Sequence, residues 1–230
     1  MSYDRFSPEF RISDIRSMYR EADPAHDFSH ILRVYKNART IGQEEDADMQ
    51  VLLLAALLHD AGSEKKHTSK QGESEDRGHK SAEVFLESIE LEEGTREKVL
   101  YAVDVHRFSK GIVPLTLEAR ILQDADRLDA LGAIGIARVF LTGGTMGREL
   151  YHPDDPFCRA REPDDTKWNL DHFYKKLLKL ESGMHTKSAQ RLAAARTAVL
   201  RRYLQDLEEE IGKHERATEE LASRHLEKVK

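Results

Sequence analysis

At 230 residues the chain has room for one large domain or two small ones. Apolar residues make up 39% and charged residues 34%, the balance of a soluble helical protein with a core. The 36 basic side chains are mixed among 42 acidic ones, for a net charge of −6, which excludes the basic footprint of bulk nucleic-acid binding.

The lone Cys158 cannot close an intramolecular disulfide and points to a reducing cytoplasm. No signal pattern opens the chain, and the longest apolar run, Val51 to Leu58, is too short to span a bilayer.

Nearly every periodic segment reads as helix. Pro8 to Glu21 places Ile12, Ile15, Met18 and Tyr19 on one face, and Asp23-Pro24 ends it, since the residue before a proline avoids the helical region. In the second helix Ile31, Val34, Tyr35 and Ala38 recur at helical spacing, with His30 in the first turn and Gly42 as the stop. Ala47 to Ala61 is the third. Its stretch LLLAALLHDAG, Leu52 to Gly62, is so apolar that it must be buried nearly all round, yet it ends in His59 and Asp60, with Gly62 placed as a C-cap.

Ser63 to Gly78 is polar, without periodicity, and reads as a loop beside that pair. A fourth helix runs from His79 to about Glu90 and a fifth from Thr95 to Val105, with His106 at its end. Leu117 to Phe140 reads as one long helix with Asp124, Asp126 and Asp129 embedded in it. Thr142 to Thr166, rich in Gly, Pro and Asp, is a large loop in which TGGTMG is a flexible turn. Asn169–Leu180 and Lys187–Ile211 are two closing helices. The expected architecture is all-α: one domain over residues 1–212, a core bundle at about 26–140 with the C-terminal helices packed on it, and a charged, disordered tail at 213–230.

A buried histidine and aspartate lose solvation unless something pairs them, either a hydrogen bond between the two or a divalent metal. His30, His59, Asp60 and Asp126 lie in or at the ends of different helices. Two imidazole nitrogens and two carboxylates suit Mn²⁺, Mg²⁺, Fe²⁺, Co²⁺, Ni²⁺ or Zn²⁺ and leave positions open for water and a substrate oxygen. That is the arrangement metal-assisted hydrolysis needs.

The order H…HD…D on helices, with HDFSHILRV, ALLHDAG, ILQDADRLDALGAIGIAR, TGG…GRELYHPDDPF and HFYKKLL…MHTKSAQRLAAAR, resembles the HD-domain phosphohydrolase superfamily, specifically a bacterial subgroup of HD-domain hydrolases. The resemblance spans roughly residues 20 to 210 and implies a divalent-metal-dependent phosphohydrolase acting on a nucleotide or related phosphorylated small molecule. It places the metal ligands at His30, His59, Asp60 and Asp126, the last chosen over Asp124 and Asp129 because it occupies the Asp of the ADRL segment. His79 and His106 stand where some members hold a second metal, or where substrate phosphate is met. Glu64 and Asp129 are the candidate acid–base residues. Arg33, Lys65, Arg107, Lys110 and Arg148 are candidates for neutralising phosphate. The subgroup carries an acidic residue where Ser63 stands here, a departure that bears on the chemistry of the following loop.

Two other readings compete. A di-iron oxygenase on the same scaffold would require both His79 and His106 as ligands, and a non-catalytic nucleotide-sensing domain would keep the fold without turnover. No GxxxxGK[ST] or GxGxxG element is present, so a bound nucleotide is not held by a glycine-rich phosphate loop. No membrane partner is expected, and the oligomeric state is left open, a homodimer included.

Overall fold

The computed structural model of the chain describes residues 15–19, 28–62, 71–107 and 111–227, with the backbone alone at 71–77 and 213–227. These residues form eight α-helices and no strand. They are α1 (Phe28–Glu44), α2 (Met49–Leu58), α3 (Gln71–Glu87), α4 (Glu93–Val105), α5 (Leu117–Asp129), α6 (Gly132–Thr145), α7 (Asp171–Lys175) and α8 (Lys187–Glu227). No single helix among the described residues is long and apolar enough to cross a membrane.

The all-α expectation holds. Helix α2 is its axis: every residue from Val51 to Leu58 is buried, and α1, α4 and α5 pack around it. Asp48 starts it, its carboxylate accepting from the Gln50 and Val51 amides at 3.1 and 3.2 Å. Gly62 closes the turn that follows at φ 71°, a left-handed conformation that favours glycine. Polar pins cross the bundle. Asn37 of α1 donates to the Ala125 carbonyl of α5, and Arg196 of α8 donates both to Asn37 Oδ1 and to the Leu128 carbonyl.

Several boundaries differ from the sequence reading. Of the expected first helix only residues 15–19 are described, and Ser17–Tyr19 is a 3-10 turn. The fourth helix begins at Gln71 rather than near His79, so the second half of the expected 63–78 loop is helical. The expected helix Leu117–Phe140 is two helices, α5 and α6, bent by 67° at Ala130–Leu131. The expected Asn169–Leu180 helix is the short α7 followed by 3-10 turns at Leu177–Lys179 and Glu181–Gly183. Helix α8 continues to Glu227, through most of the segment expected to be disordered.

The turn after α6 is not loose. The Asn169 side chain lies so close to Gly143 that a Cβ there would sit 1.4 Å from its Oδ1, and its amide donates to the Arg148 carbonyl. The irregular segment between α6 and α7 is fastened by a parallel bridge between Glu149 and Trp168. It is also fastened by Arg161, which pairs with the fully buried Asp171 and stacks over Trp168 at 4.7 Å.

Candidate metal centre

The apolar helix α2 ends by placing two polar side chains at the centre of the bundle. His59 is 2% exposed and Asp60 9%. His30, one turn into α1, is fully buried beside them, and Asp126 enters from α5. Ligand atoms of His30, His59 and Asp60 all lie within 4.8 Å of one another.

The tautomers follow from the partners. His59 Nδ1 is 2.9 Å from the Ala56 carbonyl, which can only accept, so Nδ1 carries the proton. His30 Nδ1 is 2.7 Å from Asp129 Oδ2 and donates to it. Both Nε2 atoms therefore face inward, 3.4 Å from each other. His30 Nε2 lies 3.5 Å from Asp126 Oδ1 and 3.9 Å from Asp60 Oδ2, and His59 Nε2 lies 3.7 Å from Asp60 Oδ2. Burial holds the His59 imidazole down to about 4, against the pull of the Asp60 charge, so the ring is neutral at ordinary pH.

Lone pairs and carboxylate oxygens facing one another without a proton repel, and a cation at their centre resolves the conflict. The spacings fit: ligands at ~2.1 Å from an ion stand about 3.0 Å apart at right angles and about 3.4 Å apart in a tetrahedron. The side chain of Asp126 is 34% exposed, which leaves one side of the cluster open to solvent.

Asp129 lies behind the site rather than in it. One turn beyond Asp126, it accepts from His30 Nδ1 and from Arg33 Nε at 2.6 Å, and pairs with Arg138 at 2.8 Å. Burial works against its charge, but the hydrogen bonds from His30 and Arg33 outweigh it and hold the carboxyl well below the usual range. Arg33 is committed to the same group, with Nη2 on Asp129 and Nη1 on Ser29. Asp124 points elsewhere and caps the start of α8, accepting from the His185 and Thr186 amides at 2.8 and 2.9 Å.

The remaining candidates separate. His106 Nε2 is 3.6 Å and Arg107 Nη2 3.7 Å from Asp60 Oδ1, so the end of α4 reaches the cluster. His106 Nδ1 is turned to the Val103 carbonyl, which leaves Nε2 facing Asp60. His79 is half-exposed, with Nδ1 2.7 Å from Asp104. Arg148 follows α6, where its charge acts on His172 and Lys175. Glu64, Lys65 and Lys110 lie outside the described residues. The sequence reading missed Arg138, which at nine residues from Asp129 is brought to it only by the bend between α5 and α6.

The HD domain family pattern matches residues 27–131. The curated protein YpgQ of Bacillus subtilis, named as uncharacterised, is 31% identical over 204 residues, covering 86% of this chain and 90% of its own. The chain belongs to the HD-domain family. A crystal structure of an HD-superfamily hydrolase from Bacillus thuringiensis superposes with a TM-score of 0.68 at 33% identity, covering 87% of this chain and 94% of that one. The structure of B. subtilis YpgQ in complex with ADP superposes at 0.65 with 29% identity, covering 86% and 92%.

Proposed function

We propose that this HD-domain chain is a divalent-metal-dependent phosphohydrolase acting on a nucleotide or a related phosphorylated small molecule. The observation that carries the reading is the inward-facing pair of Nε2 atoms, His30 against His59 at 3.4 Å, set between the carboxylates of Asp60 and Asp126. The ADP held by YpgQ supports a nucleotide as substrate class.

His30, His59, Asp60 and Asp126 are assigned as the metal ligands. When bound, the divalent ion supplies positive charge that acidifies water and polarises a phosphoryl oxygen. Asp129 orients His30 by accepting its Nδ1 proton, and Arg33 and Arg138 hold Asp129 in place. This replaces the acid–base role expected of Asp129, because its oxygens are engaged by three cationic or donor groups. Proton transfer is assigned to Glu64, four residues past Asp60.

Arg107 and His106 are assigned to meet substrate phosphate, a role supported by their position beside Asp60 at the α4 end. One metal is preferred to two, and hydrolysis to di-iron oxygenation, because the half-exposed His79 is not among the described residues whose ligand atoms gather within 4.8 Å of one another.

The test is metal analysis of the purified protein followed by a screen of nucleotides and sugar phosphates, with phosphate and pyrophosphate products distinguished. Hydrolysis of a nucleotide is expected, and failure on the whole panel with a divalent ion bound sinks the proposal. Asp60→Ala should lower turnover by more than about a hundred-fold, beyond the cost of losing an outer partner of a ligand, with helicity retained. Full activity in that variant removes the assigned site.

A further inference from the structure

The end of α2 has a carbonyl-pairing problem whose solution comes from outside the segment matched by the family pattern. A helix leaves its last carbonyls without partners. Near the end of α2, the Ala56 carbonyl takes the His59 imidazole proton at 2.9 Å, and the Leu58 carbonyl takes the Ala61 amide at 2.9 Å. Between them, the Leu57 carbonyl accepts from the Tyr19 hydroxyl at 2.7 Å, across 38 residues of sequence. A single phenol thus fastens the backbone two residues before His59 and three before Asp60.

Tyr19 is well placed to hold that position. It is 6% exposed, and its ring packs against Phe28 at 5.7 Å, at the start of the helix that carries His30. It belongs to the turn Ser17–Tyr19, eight residues before the start of the matched segment at 27. Without the hydroxyl, the Leu57 carbonyl would be left unpaired among wholly buried neighbours, and the turn bearing His59 and Asp60 would have to shift to find another donor.

We propose that Tyr19 is a positioning residue of the metal centre, its hydroxyl fixing the turn that presents His59 and Asp60. The inference rests on the metal-site reading above. The test compares Tyr19→Phe, which keeps the ring and removes only the hydroxyl, with the wild type. Co²⁺ is titrated into the chelator-treated protein and followed by its visible absorption.

The expected result is about a ten-fold weaker Co²⁺ affinity, the lower end of what loss of an outer partner costs, with an altered spectrum. Amide hydrogen exchange should also quicken at His59 to Ala61 while the middle of α2 stays protected. Met18→Ala, which trims the same turn but leaves the phenol, separates the hydroxyl from general loosening and should keep wild-type affinity. Unchanged affinity and exchange in Tyr19→Phe, or an equal loss in Met18→Ala, overturns the proposal. Failure of the wild type to bind Co²⁺ or any other divalent ion overturns the metal-site reading itself, and the positioning role with it.

Discussion

At His59 the demands of burial and of ligation coincide. A buried imidazole resists protonation, and a ligand must present a lone pair, so the same neutral ring satisfies both. The sign of the pH dependence follows. The folded value is about 4 and the ordinary value 6.5, so between those limits the unfolded chain binds the proton and the folded chain does not. Stability from this group is therefore complete above pH 6.5 and is lost as pH falls toward 4. The span corresponds to at most about 3 kcal/mol. Chelator-treated protein should unfold at progressively lower urea concentrations from pH 6.5 down to 4.5, and His59→Asn should flatten that dependence. A wild-type midpoint constant over that range would show that His59 does not resist protonation in the fold.

At the scale of elements, α5 shows how one helix serves three neighbours. Positions 124 and 126 differ by about 200° around the axis, and 126 and 129 by about 60°, so three aspartates in six residues face different partners. Asp126 faces His30 Nε2, Asp129 takes His30 Nδ1, and Asp124 receives the His185 and Thr186 amides just before α8 together with the Thr186 hydroxyl. Asp124 is fully buried, and Arg127 lies 3.8 Å from it, so its removal leaves amides and a guanidinium without their counter-charge. Asp124→Ala is expected to cost about 3 to 5 kcal/mol in urea denaturation. A loss below about 1 kcal/mol would mean that α8 is anchored elsewhere.

The helical period legibly placed Asp126 and Asp129 on nearby faces, and the order of the motifs brought out His30, His59 and Asp60. The period could not tell which nitrogen of His30 each carboxylate meets, because that depends on the approach of α1, 96 residues away from Asp129 at Arg33. The break at Ala130–Leu131 was equally hidden: apolar residues continue through LDALGAIG, so the hydrophobic pattern carries no interruption where the backbone bends. The early start of α3 escaped for the opposite reason, since QGESEDRG offers no apolar residues to count.

For the whole molecule, the assigned ligands come from three places in the chain order: α1, the end of α2, and α5. An ion held there ties together the helices that surround the core, and the unfolded chain, in which these residues are far apart, has no equivalent site. Binding to the folded state alone stabilises it by RT ln(1 + [L]/Kd), about 4 kcal/mol at a thousand-fold excess over Kd. For a chain of this size each kcal/mol moves the unfolding midpoint by about 2 to 4 °C. Thermal unfolding in excess chelator should therefore begin about 8 to 16 °C below unfolding in saturating Mn²⁺. Above saturation, each further ten-fold in free ion should add about 3 to 5 °C, since the logarithm grows by about 1.4 kcal/mol per decade. That slope separates a specific site from general salt effects, which act on surface charges and do not follow the logarithm of one ion's concentration. In Asp126→Ala the site keeps its buried trio but loses the ligand at its solvent-facing edge, so the slope should persist at a higher ion concentration. A midpoint indifferent to chelator and to Mn²⁺ in the wild type would mean that the facing imidazoles are held by the fold alone.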